Sequence, residues 1–289
     1  MSLSQDAIVA ANRQSWNEAA ERHRAHAQYA RLLEGFATPG FSVLDDTLTQ
    51  RLLGLGLAGK AVAQLCCNNA RELLSVKNLG ATSVTGFDFA AAFLDQAREL
   101  AAAAGLDAEF VETELAKIPE AYTGRFDLAL VTIGVLGWMP DLAAFFATAR
   151  RLLKPGGHLV IYEDHPILNM YDERDRGGVP QPDESYFRSE PYRSDNGLDY
   201  WANADYAAKP CYWTFHKMSD VVMGLVGAGF ALQDFEELPH NIGTRAHFEN
   251  HAVPWSHAMI SGPLTGPPPR PSGPARCQAP RRRGCRTRT

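Results

Sequence analysis

Residues 59–104 read GKAVAQLCCNNARELLSVKNLGATSVTGFDFAAAFLDQARELAAAA, and the fold turns on this stretch. Ala61–Leu65 is a short apolar run, Cys66–Ala70 a turn of small residues, and a helical segment starts at Arg71. A second apolar run ends on one acid, Asp88. Strand, turn, helix, strand and acid within about thirty residues is the layout of a nucleoside-binding α/β half. The turn lets backbone approach a ligand, and the acid can accept hydrogen bonds from ribose hydroxyls. An adenosine-containing cofactor is therefore expected in this region.

Working outward, the α/β pattern continues. Ala90–Ala104 predicts an Ala-rich helix closed by Gly105, and Ala108–Glu112 a strand. FDLALVT, Phe126–Thr132, is the near-continuous apolar run of a parallel strand buried on both faces. Asp141–Leu153 predicts a helix ended by LKPGG, and His158–Glu163 the next strand. Alternating strands and helices predict a mostly parallel sheet with right-handed crossovers. Upstream, Ile8, Ala11, Trp16 and Ala19–Ala20 fall at helical spacing within 5–36, Pro39–Gly40 breaks the pattern, and a short helix fits 41–57.

Beyond the fifth strand the pattern stops. Residues 168–212 are rich in Tyr, Asp, Arg, Pro and Gly, and an irregular stretch of this length predicts a lid. A small hairpin strand fits Tyr206–Phe215, a helix Met218–Gly229 and a strand Phe230–Glu236; after Phe235 no normal final strand is readable. The expected organisation is an N-terminal helical cap (1–45), a cofactor-binding core (46–167), an insertion or lid (168–212), the remainder of the core (213–261) and a tail (262–289). The Pro/Gly/Arg composition of that tail cannot support a core and predicts a disordered or non-native end.

With 289 residues and 45% hydrophobic content, the chain can bury a full core. No apolar run reaches the roughly 18 residues of a membrane span, and the N-terminus lacks a signal-peptide pattern, so a cytoplasmic location is expected. Seven Arg and no acid fall within 262–289, leaving 21 basic and 33 acidic residues elsewhere. An acidic body argues against nucleic acid as the substrate. The five Cys, at 66, 67, 211, 277 and 285, contain no CxxC pair, so neither a disulfide framework nor a zinc ribbon is expected. His247 and His251 form an HxxxH pair without the Glu of a zinc protease, and no metal is expected.

With Asp88, FDLALVT and RLLKPGGHLVIYE in place, residues 55–165 resemble a class I S-adenosylmethionine-dependent methyltransferase. NRQSWNEAAERH and the turn Asp164–His165–Pro166 resemble a small-molecule branch with an N-terminal helical cap. The resemblance implies a Rossmann-like three-layer sandwich with S-adenosyl-L-methionine as cofactor. It departs in the first motif: where the family has an acid and three alternating glycines, this chain has QLCCNNA, with Gln64 for the acid and Cys66, Asn68 and Ala70 for the glycines. Asn tolerates the left-handed region, so Asn68 or Asn69 is expected to supply the turn.

On this resemblance the cofactor-binding residues are Gln64, Cys66, Asn68, Asn69, Asp88, Phe89, Glu114, Leu115, Thr132, Ile133 and Gly134. Asp88 would hold the ribose, Glu114 the adenine amino group, and 132–134 would lie under the sulfonium; Asp88 also fits a helix-capping role. His165 is the candidate general base, as a His at the sheet edge where α/β proteins bind ligands, although a plain turn residue fits it as well. Tyr29, Trp138, Tyr171, Trp201 and His216 are candidate substrate-pocket residues.

The expected function is methylation of a small-molecule acceptor at O or N, with no nucleic-acid or membrane partner and a homodimer as a candidate assembly. The missing Asp/Asn-Pro-Pro-aromatic motif argues against base-flipping methylation of nucleic acid. Two other readings stay open: a methyltransferase-fold binding protein without turnover, motivated by QLCCNNA, and a nicotinamide oxidoreductase, weakened because no GxGxxG is present.

Overall fold

A computed structural model describes residues 3–171, 181–202, 204–242, 254 and 256–263. Helix α1, Gln5–Ala25, starts where the Ser4 hydroxyl accepts the Ala7 amide, and α2, Ala27–Phe36, follows after His26. Asp45 caps α3, Asp46–Leu55, by accepting the Leu48 amide at 2.8 Å. Then come β1 (Ala61–Leu65), α4 (Arg71–Asn78), β2 (Ser83–Asp88) and α5 (Ala91–Ala104), the last closed by left-handed Gly105. They are followed by β3 (Glu109–Glu112), β4 (Phe126–Thr132), α6 (Leu142–Leu152) and β5 (Leu153–Asp164). A hairpin of β6 (Tyr192–Ser194) and β7 (Cys211–Trp213) precedes α7 (Met218–Gly227), β8 (Phe230–Leu238) and β9 (Ser256–Pro263).

The main sheet runs in the order β3-β2-β1-β4-β5-β9-β8. β1 pairs parallel with both β2 and β4, β2 with β3, and β4 with β5, while β9 is antiparallel to both β5 and β8. The chain turns one way after β1 and the other way at β4. This places a topological switch point at the C-terminal ends of β1 and β4, where such sheets leave a crevice.

Helices cover both faces. Phe145, Phe146 and Ala149 of α6 and Val221 and Leu225 of α7 pack on one side of the sheet. Leu48 and Leu52 of α3, Leu73 and Val76 of α4, and Leu94 and Ala97 of α5 pack on the other. Tyr29, Leu32 and Phe36 of α2 lie outside α5, against Leu100 and Ala101. This is the Rossmann-like three-layer α/β sandwich expected from the sequence.

Three details differ from the sequence reading. β5 begins at Leu153, so LKPGG belongs to the strand. A final strand exists: β9 was unreadable because Ser256, His257 and Ser261 are fully buried polar residues on a strand covered on both sides, which removes apolar alternation. β9 also extends to Pro263, so Gly262 and Pro263 belong to the sheet and not to the tail. The rest of the tail, like His247 and His251, lies outside the described residues.

Candidate active site

The turn between β1 and α4 is left-handed at alternate residues: Cys66 has φ 55°, Asn68 φ 51° and Ala70 φ 57°. Asn68 meets the expectation; Asn69 does not, and the same conformation is imposed on Cys66 and Ala70. These are the positions that glycines hold in the family motif. A left-handed non-Gly residue costs roughly 1–2 kcal/mol, so the surrounding bonds must outweigh that strain. They are specific: Cys67 donates its amide to the Phe87 carbonyl at 3.1 Å, and Ala70 to the Cys67 carbonyl at 2.7 Å.

Asp88 closes the arrangement. Its Oδ2 accepts the Asn68 amide and its Oδ1 the Ala90 amide, each at 2.8 Å. The carboxylate thus joins the turn after β1 to the entry of α5. It is buried, and burial raises its pKa while the amides of Ala90, Asn68 and Phe89 pull it back. A carboxylate has about four lone-pair sites, so acceptor capacity remains beyond these three amides.

This turn forms one wall of a cavity of about 660 Å³, in the range of pockets that enclose small ligands. Gln64, Cys66, Asn68, Asn69, Asp88, Phe89, Thr132, Ile133 and Gly134 all line it. Gln64 donates Nε2–H to Thr132 Oγ1 at 2.8 Å across β1 and β4. Among the described residues, Gln64 Oε1 and Asn69 Nδ2 are buried without a hydrogen-bond partner. Orphaned buried polar groups are costly, and a ligand that pairs with them recovers that cost. Gly134, with φ 84°, has no atom near where a Cβ would project, leaving open space at the end of β4.

Glu163 positions that end of β4. It is buried at the end of β5 and accepts amides from Val135 at 2.7 Å, Leu136 at 3.1 Å and its neighbour Asp164 at 2.9 Å, together with that of Gly134. Burial and the Asp164 carboxylate push its pKa up to about 7, against those amides. Sequence reasoning missed this clamp, whose signal was a lone acid within the apolar run HLVIYE.

The rest of the cavity is aromatic. Trp138, Tyr171 and Trp201 line it, and so do Trp16 and Trp213, which the sequence reading did not place in a pocket. Trp138 meets Trp16 edge-on at 5.2 Å and Trp213 at 4.9 Å. Asp183, Glu184, Tyr192, Ser194, Asp199 and Tyr200 from the expected insertion also line it.

Five expected site residues lie elsewhere. Tyr29 is buried between α2 and α5 and donates its hydroxyl to Glu99 at 2.6 Å. Glu114 is held in ion pairs with Arg13 at 3.7 Å and Lys117 at 2.6 Å, and Leu115 packs on the core beside α6. His216 has Nε2 at 2.8 Å from the Met139 carbonyl. His165 accepts the Ile167 amide on Nδ1 at 3.1 Å, which leaves Nε2–H to donate to Glu237 Oε1 at 2.8 Å. Both ring nitrogens are occupied, so the general-base expectation for His165 is corrected. His165 and His216 line a separate void of about 30 Å³. Successive strand residues face opposite ways, and at the end of β5 the cavity receives Asp164 in place of His165.

A family model described as a methyltransferase domain matches residues 62–157. Among curated relatives, this chain is 33% identical over 101 residues to a ubiquinone biosynthesis O-methyltransferase from Nitrosococcus oceani, covering 35% of this chain and 42% of that protein. The chain spans less than half the length of the curated relatives it matches. Two solved structures share the fold. An S-adenosylmethionine-dependent methyltransferase from Mesorhizobium loti has a TM-score of 0.53 and 22% identity, over 74% of this chain and 96% of that one. The 1,6-didemethyltoxoflavin-N1-methyltransferase of Burkholderia thailandensis, solved with bound 1,6-didemethyltoxoflavin and S-adenosylhomocysteine, has a TM-score of 0.56 and 16% identity, over 90% of this chain and 91% of that one. Among the described residues no helix is long and apolar enough to cross a membrane, and no group of three or more His, Cys, Asp or Glu could hold a metal ion.

Proposed function

We propose that this protein is an S-adenosylmethionine-dependent methyltransferase that transfers a methyl group to O or N of a small-molecule acceptor. The observation that carries the reading is the switch-point cavity, where the left-handed turn 66–70 and the backbone-anchored Asp88 carboxylate face one enclosed space. Its residues fit the cofactor. Asp88 keeps acceptor capacity for ribose hydroxyls, Gln64 Oε1 and Asn69 Nδ2 are polar atoms awaiting a partner, and Gly134 leaves room for close approach.

When bound, S-adenosylmethionine supplies an electrophilic methyl on a good leaving group. The chain's own task is therefore alignment and exclusion of water. Asp88 and the 66–70 turn fix one end of the ligand. Glu163 holds the 134–136 backbone through three of its amides, fixing the floor beside the reacting end. Trp138 and Trp213 wall the acceptor side.

The same reading assigns residues 1–45 as a cap and 168–212 as a lid over the strand ends. It takes the enzyme to be cytoplasmic, without a nucleic-acid partner, and names a homodimer as the assembly to test. Calorimetry of the full chain with S-adenosylhomocysteine, S-adenosylmethionine and NADH tests it. Both adenosyl ligands should bind and raise the melting temperature. Binding of NADH alone, or of none of the three at millimolar concentration, would overturn the reading.

A further inference from the structure

The floor of the cavity rests on a buried charge. Gly134 and Val135 line the cavity, while their amides and that of Leu136 are held by Glu163, which is 3% exposed. Four donors divide between its two oxygens: Oε1 accepts from Gly134 and Asp164, Oε2 from Val135 and Leu136. This arrangement suits the carboxylate and not the acid. A proton on either oxygen makes a hydroxyl that competes with two amides already donating there. Val135 and Leu136 are themselves buried, so their amides cannot turn to solvent instead. Protonation of Glu163 therefore works against the floor.

Among the described residues, the titratable groups that face Glu163 give it no counter-ion near neutral pH. Asp164, next on its own strand, is a second carboxylate. Cys66, from the turn after β1, is a thiol pushed up by burial. His257 is the register partner of Glu163 on β9, and burial pulls it down to about 3. His165, in the turn after β5, and His216, before α7, are pulled down by burial as well. Glu163 and these three histidines line the void of about 30 Å³. Burial first and the Asp164 carboxylate second hold the Glu163 pKa at about 7, against its amides.

On the footing of the methyltransferase reading above, we propose that Glu163 is a positioning residue that couples cofactor binding to pH: as the carboxylate it keeps residues 134–136 formed against the cofactor, and as the acid it lets go of them. The coupling is reciprocal. A cofactor resting on the formed floor favours the carboxylate, so the proton and the cofactor oppose each other. Affinity is full above neutral pH and falls as pH drops through about 7.

Calorimetric titration of the full chain with S-adenosylhomocysteine between pH 6.0 and 8.0 tests this, in the wild type and in Glu163→Gln. Gln keeps the size of the side chain and one acceptor oxygen but cannot titrate. The wild type should bind about fivefold or more weakly at pH 6.0 than at pH 8.0. The variant should show the same affinity at both within about twofold, near that of the wild type at pH 6.0. A purely structural clamp would weaken the variant and leave the wild-type profile flat, and a flat wild-type profile overturns the proposal. A slope that persists in Glu163→Gln overturns it too, and moves the titrating group elsewhere, to Asp88 first. If Glu163→Gln does not fold, Asp164→Asn replaces it. Without the neighbouring charge the midpoint of the profile should move down by about half a pH unit or more, and an unmoved midpoint overturns the proposal. No binding at pH 8.0 overturns the methyltransferase reading and takes this inference with it, whereas binding with a flat profile overturns this inference alone.

Discussion

His165 Nε2 lies 2.8 Å from Glu237 Oε1, and this bond ties the turn after β5 to β8 on the far side of β9. The imidazole is a brace between strands. His165→Gln should lower stability by about 1 kcal/mol, the size of one lost hydrogen bond, and leave the dissociation constant for S-adenosylhomocysteine within twofold. A tenfold loss of affinity would return His165 to the ligand site. Urea melts and calorimetry on one preparation give both numbers.

Asp88 is expected to matter for the ligand as well as for the turn that its two amide bonds hold. Bonds from ribose hydroxyls to a carboxylate contribute roughly 1.5–3 kcal/mol each. Asp88→Ala should therefore weaken S-adenosylhomocysteine binding tenfold or more, since about 1.4 kcal/mol is a factor of ten. An unchanged dissociation constant would show that Asp88 serves only the amides of Asn68 and Ala90.

Gly137 sets the position of Trp213. A Cβ at Gly137 would stand 2.1 Å from the indole, and the Thr214 amide donates to the Gly137 carbonyl at 2.7 Å, so the two segments cannot separate freely. Gly137→Ala should cost about 1–3 kcal/mol, as overpacking does, and change the near-ultraviolet circular dichroism of the tryptophans. A variant with wild-type stability and spectrum would mean that Trp213 has somewhere else to go.

His23 gives stability a dependence on acid. Burial pulls its pKa down to about 4, with a bond between Nε2 and the Leu198 carbonyl opposing. Above pH 6.5 neither state is protonated. As pH falls through 6.5 the unfolded chain takes a proton that the folded one refuses, so stability drops until about pH 4. At pH 5 the loss is about 2 kcal/mol from this residue. Urea melts at pH 7.5 and 5.0 should show His23→Phe losing less than the wild type by that amount, with the other buried groups cancelling in the comparison. Parallel losses would exonerate His23.

Composition alone says that residues beyond β9 are dispensable, and the structure moves the cut. Deleting 265–289 should leave the melting temperature within a degree or two, whereas deleting from 256 removes β9 and should abolish cooperative unfolding. A large drop from the shorter deletion would mean that the Pro/Arg segment docks.

The strands that frame the cofactor region were legible because β1, β4 and most of β5 are nearly all buried and therefore nearly all apolar. β9 was not, because its buried His257 and two serines look like loop. The turn was legible in kind but not in detail. Asn68 announces a left-handed conformation by its chemistry, while Cys66 and Ala70 adopt it only because the bonds of Asp88, Phe87 and Cys67 leave no alternative. Asp164 and His165 show how the reading failed at the strand end: one residue of register decides which neighbour faces the cavity, and sequence does not fix where the last residue of a strand points.

β9 lies between β5 and β8 although it is the last of the described strands to be made. During synthesis β1 to β5 can align as they emerge, but β5 keeps a bare edge and β8 has no neighbour until residue 263 has left the ribosome. A nascent chain stalled before that point would carry two unpaired borders, the kind that recruit other chains. Crowded expression at high temperature should therefore yield aggregates enriched in chains that end before residue 256, and slower translation of the 239–263 stretch should worsen the yield.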